Sequence, residues 1–394
     1  MPVATVSSRM LAATEGKRAV TSFGRRVLGG LGPDACDFMF GNPQEPPLRG
    51  LVKALIRHAE PRDVHWFGYQ TSDPSAREAV ARALCQSRGR PSEPADIAIT
   101  TGGFGAIAAA LLAVLEVGDE VIYPRPGWFN YDALTRGAAG APTPVDLAPR
   151  SFDLDVEAIG AAIGPRTRVV VVNTPHNPTG RIYPRVQLDA LARVLTNASE
   201  RHGKVIYLLA DEPYARLVFD GRAHISPAES YPHTLIAYSY GKTLLAPGER
   251  LGWLVLSPNM PEAVRVALRE AINMAQVSLG WAFAGRTLQR ALPDLEALCI
   301  DVAALQRRRD RMVEGLRAAG YDVPVPEGTF YLIPSSPVPD DAAFAARLSS
   351  EDVWVLPGSV SQLPGRLRIS LTATDAMVER ALPVFARAIP EALG

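Results

Sequence analysis

The chain has 394 residues, 47% of them apolar and 21% charged, with 41 acidic side chains against 41 basic ones. That length exceeds the roughly 250–300 residues at which a single core stops growing, so two domains are expected, and the composition excludes a disordered or fibrous chain. Charge balance removes nucleic acid as a partner, because phosphate contacts need a basic face, and the densest basic run, QRRRDR at 306–311, reads as the solvated face of a helix.

From the start of the chain, MPVATVSSRMLAATEGKR carries no apolar stretch preceded by positive charge, so no secretory leader is expected. The longest apolar run, AIAAALLAVLEV, falls short of the ~20 residues of a membrane span. Cys36, Cys85 and Cys299 are odd in number and far apart, which suggests neither a disulfide framework nor a metal site and fits a reducing, cytoplasmic setting.

From about residue 50 to 285, short β-rich runs alternate with helical patterns: DIAITTG (96–102), DEVIYP (119–124), TRVVVVN (167–173), KVIYLLADE (204–212), TLIAYSY (234–240) and GWLVLS (252–257). Several are apolar throughout, as strands buried on both faces are, so the fold class is α/β with a mostly parallel sheet. From about 290 the pattern changes to a long helix, LEALCIDVAALQRRRDRMVEGLRAAG, then short strand-like pieces and a closing helix from about 374. The expected division is a large α/β domain over 46–288 and a small domain made of 1–45 with 289–394.

Sites in open α/β sheets lie beyond the carboxyl ends of the strands, so chemistry is sought in the residues that follow each run. The first run leads into TTGGFGAIAAALL, where Gly103 and Phe104 open a helix whose free amides and dipole suit a phosphate. Alone, that string is better explained by a plain tight turn before a helix, until something else in the chain needs a phosphate. After the second run, Trp128 is placed to stack on a flat ring or to fill a core. NPTG at 177–180 fixes Asn177 at a strand end with its amide free to donate. DEPY at 211–214 ends a buried strand in Asp211, a position that is costly without a cationic partner, with Tyr214 close behind; helix capping is the alternative for Asp211.

The last clue is a lysine. The chain answers nearly every need for a cation with arginine and uses lysine only at 17, 53, 204 and 242. Lys17 and Lys204 sit in polar surroundings outside any motif and read as surface residues, and Lys53 lies on an amphipathic helix. Lys242 stands in SYGKTLLAPGERLGW, between Ser239 and Arg250. Desolvation and a nearby cation would free a lysine from its ordinary pKa of about 10.4 to attack a carbonyl, while Ser239 and Arg250 suit a phosphate beside it. A phosphate cradle, a ring stacker, a carboxylate for a ring nitrogen, donors for a phenolate and an imine-forming lysine together describe pyridoxal 5'-phosphate.

With NPTG, DEPY, SYGK followed by PGERLGW, and RLRISL at 366–371 in this order, the chain resembles the class I aminotransferases of pyridoxal-phosphate fold type I, the aspartate aminotransferase-like enzymes, from about residue 30 onward. The resemblance implies that Lys242 binds the cofactor as an imine, that Asp211 pairs with the pyridine nitrogen, and that Asn177 and Tyr214 hold the phenolate. It further implies that Trp128 stacks on the ring, that Gly103, Phe104, Ser239 and Arg250 hold the phosphate, that Arg368 clamps the substrate α-carboxylate, and that Gly41 of FGNPQEPP belongs to a loop closing over the substrate. A homodimer is implied as well, with Phe67 or Tyr69 of HWFGYQTSDPSAREA reaching the partner's cofactor. Gly241, where serine or alanine is usual, is expected to loosen the lysine.

The implied reaction moves the amino group of an L-amino acid to a 2-oxo acid by a ping-pong route. Elimination, cyclisation or decarboxylation on the same cofactor is the first alternative. A pyridoxal-phosphate-sensing regulator would need a DNA-reading module for which the segment before residue 40 is too short. A nicotinamide enzyme would need GxGxxG, which TTGGFGAI lacks.

Overall fold

Each apolar run of the middle segment forms a strand in the computed structural model, which describes residues 6–27, 31–89, 91–280 and 283–393. In chain order the strands are β1 (Cys36–Asp37), β2 (Ile97–Thr100), β3 (Glu120–Arg125), β4 (Ala141–Asp146), β5 (Thr167–Asn173), β6 (Tyr207–Asp211), β7 (Thr234–Ser239), β8 (Gly252–Leu256), β9 (Tyr331–Leu332), β10 (Val353–Trp354), β11 (Leu356–Pro357) and β12 (Leu367–Ser370). A seven-stranded sheet runs β2-β8-β7-β6-β5-β3-β4, parallel throughout except at β8.

The run of valines in β5 shows why such strands lack alternation. Val170 and Val172 pack against Leu188, Leu191 and Leu195 of the helix Arg185–His202, while Val169 and Val171 face Ala106 and Leu111 of the helix Gly102–Val114. Helices cover both faces, so every β5 side chain from Val169 to Val172 is buried, each contributing about 1.5–3 kcal/mol. β4 was not among the expected strands. Its sequence, APTPVD, holds two prolines, which lack a ladder donor, and it lies at the sheet edge with only β3 as a neighbour.

Register places the functional ends side by side. Asn173 at the end of β5 lies opposite Asp211 at the end of β6, and Asp211 lies opposite Ala237 of β7.

A second core gathers Phe38, Leu316, Phe330, Leu348, Leu367 and Phe385. Around it β1 pairs with β10, and β12 lies between β11 and β9 in an antiparallel sheet. The expected long helix starts later than its sequence suggests, at Val302, with the Asp301 side chain accepting from the Ala304 amide at 2.9 Å. The residues before it are held out of helical geometry, because Arg216 donates to the carbonyls of Glu296 and Leu298 at 2.8 and 2.9 Å and the Ile300 amide donates to Thr243 O at 2.8 Å.

The basic run QRRRDR is only half solvated. Arg307 and Arg311 are exposed, but Arg308 and Arg309 are buried. Arg308 donates to Asp375 at 2.6 Å, to Leu371 O at 3.1 Å and to Glu45 of the N-terminal loop at 2.7 Å, and Arg309 forks onto Asp220 at 2.7 and 2.8 Å. These arginines tie distant segments together, which a reading of local charge does not reveal. Among the described residues, no helix is long and apolar enough to cross a membrane.

Candidate active site

A cavity of about 400 Å³ opens beyond the carboxyl ends of β5, β6 and β7, within the size range of small-molecule sites. Every residue expected to hold cofactor or substrate within one chain lines it. Gly41 comes from the N-terminal loop, Gly103 and Phe104 from the start of the helix Gly102–Val114, and Trp128 from the loop after β3. Asn177, Asp211, Tyr214, Ser239, Lys242 and Arg250 come from the ends of β5, β6 and β7 and the loops after them, and Arg368 from β12.

At one end the helix Gly102–Val114 points its free amides into the cavity. Gly102 has φ +71°, and a Cβ there would stand 3.1 Å from Arg250 Nη2, while a Cβ on Gly103 would stand 3.3 Å from Ser239 Cβ. Glycine is what lets backbone and guanidinium converge. Arg250 donates to Pro247 O at 2.7 Å, and partial burial lowers its pKa, with no acid among the described residues to offset it. Amides, hydroxyl and guanidinium form a cradle for a doubly charged anion.

In the middle sits Asp211, fully buried. Tyr131 donates to its Oδ2 at 2.5 Å, and Asn173 donates to its backbone carbonyl at 2.8 Å while accepting from the Asn177 amide at 2.7 Å. Burial pushes the Asp211 carboxyl up to about 7; the Tyr131 bond opposes this, Glu212 adds to it and Lys242 opposes it. A carboxyl so placed is stabilised as an anion only by a further cation. Trp128 stands edge-to-face with Phe104 and Tyr131, at centroid distances of 4.5 and 5.4 Å. Lys242 lies in the helical turn Tyr240–Thr243, its Nζ 5.6 Å from the Phe330 ring and 6.0 Å from that of Tyr214. Burial and the neighbouring Tyr331 push the Tyr214 phenol well above its ordinary range. Gly241 does not loosen the lysine: it is buried, and a Cβ there would meet Pro247 Cα at 2.9 Å, so the glycine permits tight packing instead.

At the other end Arg368 is buried, donates through Nη2 to Met39 O at 3.0 Å, and lies 4.5 Å from the Tyr331 ring. Its Nε has no hydrogen-bond partner among the described residues. A guanidinium left with an unpaired edge inside a cavity is prepared for a carboxylate. Facing it, a Cβ on Gly41 would lie 2.7 Å from Phe330 Cε2 and 2.9 Å from Tyr331 Oη. Gly41→Ala should therefore displace these rings and lower kcat/KM by roughly tenfold or more. A substrate titration checks this, and an unchanged kcat/KM would show that the loop yields freely.

Sequence reasoning missed several lining residues, among them Asn173, Tyr331, Asn130 and Lys17. Asn173 and Tyr331 carry no motif of their own. Asn130 accepts from Lys17, and Lys17 itself corrects an expectation: read as a surface lysine, it lines this cavity from the junction of the helices Ser8–Gly16 and Arg18–Val27. Phe67 and Tyr69 behave differently. They are 58% and 106% exposed, and neither lines the cavity of its own chain.

Comparison with known proteins gives a consistent result. The family model described as aminotransferase class I and II matches residues 33–385. An aspartate/prephenate aminotransferase of Thermus thermophilus is 33% identical over 357 residues, covering 89% of this chain and 87% of its own. An aspartate aminotransferase of Streptomyces avermitilis is 29% identical, covering 94% and 93%. Among solved structures, an aminotransferase from Eubacterium rectale superposes with a TM-score of 0.86 at 26% identity, covering 98% of this chain and 96% of its own, so the fold is the α/β fold type I arrangement. The chain belongs to the class I and II aminotransferases, pyridoxal 5'-phosphate-dependent enzymes that exchange amino groups between amino acids and 2-oxo acids.

Proposed function

We propose that this cavity transfers the α-amino group of an L-amino acid to a 2-oxo acid, with Lys242 binding the cofactor aldehyde and carrying the substrate's Cα proton. One observation carries the reading: Arg250 and Arg368, cations without acidic partners among the described residues, line one cavity with the buried Asp211 and with Lys242. A phosphate for the first cation, a protonated ring nitrogen for the carboxyl and an α-carboxylate for the second cation supply the partners that are missing.

The bound cofactor supplies an aldehyde for imine formation and a protonated ring that accepts the electrons left when the Cα proton departs. The protein supplies the rest. Gly103, Phe104, Ser239 and Arg250 hold the phosphate, and Trp128 covers the ring. Asn177 and Tyr214 donate to the phenolate oxygen, and Asp211, held by Tyr131, keeps its charge toward the ring nitrogen. Arg368 fixes the α-carboxylate, so the Cα proton is presented to the Lys242 amine, which accepts it and returns it at the other end of the same path.

The same reading extends to assembly and place. A homodimer is supported by Phe67 and Tyr69, exposed on their own chain and available to a neighbouring cavity. The division into 46–288 and 1–45 with 289–394 is supported by Phe38 sharing a core with residues such as Leu316, Leu367 and Phe385. A cytoplasmic location is supported by the three thiols, all of them free. The names of the relatives point to aspartate and prephenate, each with two carboxyl groups, as substrates to test first.

Arg368→Ala tests the substrate end. Removing one partner of a buried ion pair should weaken α-carboxylate substrates by about 2–3 kcal/mol, tens- to a hundredfold, and spare amines that lack a carboxylate. Equal losses for both classes, read from KM, would remove Arg368 from the site.

A further inference from the structure

Lys242, Arg250, Arg368 and Lys17 are the cations that line the cavity, and the proposed reaction uses only the first three. Lys17 Nζ donates to Asn130 Oδ1 and lies 5.6 Å from the Phe129 ring, in the cavity that Trp128 also lines. An ammonium has three donors, and Asn130 takes one. The nearest acid on the adjoining helix Asn130–Gly137, Asp132, is already engaged by Arg136 at 2.8 Å. Burial lowers the Lys17 pKa, and no ion pair with a carboxylate among the described residues offsets it.

We propose that Lys17 is a specificity residue that binds a second, distal carboxylate of the substrate, so that the cavity takes dicarboxylic amino and oxo acids in preference to apolar ones. The inference rests on the aminotransferase reading above and extends it to substrate class. Arg368 and Lys17 would then hold the two ends of one molecule. Phe104, Ile107, Trp128 and Phe129, which line the same cavity, suit its methylene groups. An apolar side chain would fill the same walls, yet it would leave the ammonium desolvated and unpaired, which is unfavourable. The cofactor phosphate does not need Lys17, because the helix amides, Ser239 and Arg250 already answer its charge.

The test compares succinate with butyrate, which share a four-carbon length and differ by one carboxylate. Calorimetric titration of the cofactor-loaded full chain should show succinate bound at least about tenfold more tightly, and Lys17→Met should reduce the succinate-to-butyrate affinity ratio by about 10–100-fold, as expected for losing one half-buried charge partner. Lys17→Arg, which keeps the charge, should restore much of that ratio. A parent protein without preference for succinate, or a Lys17→Met variant with an unchanged ratio, would overturn the inference. Failure of the parent to convert any amino acid would instead defeat the aminotransferase reading, so the two failures are distinguishable.

Discussion

Lys242→Arg should abolish turnover, by about 10⁴-fold or more, while leaving fold and cofactor content close to those of the parent. If Lys242 served only as a positive charge the replacement would be mild, since this chain meets almost every other such need with arginine. A guanidinium stays protonated in proteins, so it neither attacks an aldehyde nor accepts the Cα proton. Loss of general-base catalysis alone is worth about 10²–10⁴-fold, and loss of the covalent route adds to it. The phosphate cradle and Asp211 are untouched by the change, so the cofactor should still co-purify. A variant that kept even about a tenth of the parent rate, well above the loss expected of a general base, would show that another group does this work.

Asp211→Asn should lower turnover by about 10³-fold, the scale expected when a charge aimed at the reacting system is neutralised. It should at the same time stabilise the cofactor-free protein. Burial raises the Asp211 carboxyl to about 7 from an ordinary 3.8, so the native state prefers it protonated. The stability this group contributes is fully present below pH 4 and is lost as pH rises from about 4 through 7. Asparagine keeps the acceptor for Tyr131 and never ionises. The cofactor-free variant should therefore melt roughly 1–3 °C above the cofactor-free parent at pH 8, with a smaller difference at pH 5. Thermal melts at the two pH values check this, and a variant that is less stable at pH 8 would mean that the carboxylate is already well compensated without a ligand.

The strand ends were legible because buried parallel strands write themselves as apolar runs and because a polar residue closing such a run is conspicuous. Asp211 and Asn177 were found in this way and Lys242 by the scarcity of lysine, and the structure brings them into one cavity with Gly103, Phe104, Trp128, Tyr214, Ser239, Arg250, Gly41 and Arg368. What escaped was non-local. Lys17 meets Asn130 across 113 positions of sequence, and nothing in its own polar neighbourhood signals that contact. Tyr131 reaches Asp211 across 80 positions. Arg308 and Arg309 look like surface charge until Glu45, Asp375 and Asp220 fold onto them. β4 escaped for a local reason, since Pro142 and Pro144 argue against a strand everywhere but at a sheet edge.

The central claim is amino-group transfer, and a single half-reaction tests it. The cofactor-loaded protein is mixed with aspartate and no oxo acid, and the cofactor form, 2-oxo acid, ammonia and carbon dioxide are measured together. The account predicts one pyridoxamine 5'-phosphate and one 2-oxo acid per active site, without ammonia or carbon dioxide. Release of either gas, with the cofactor still in its aldehyde form, would contradict it and assign the cavity to elimination or decarboxylation.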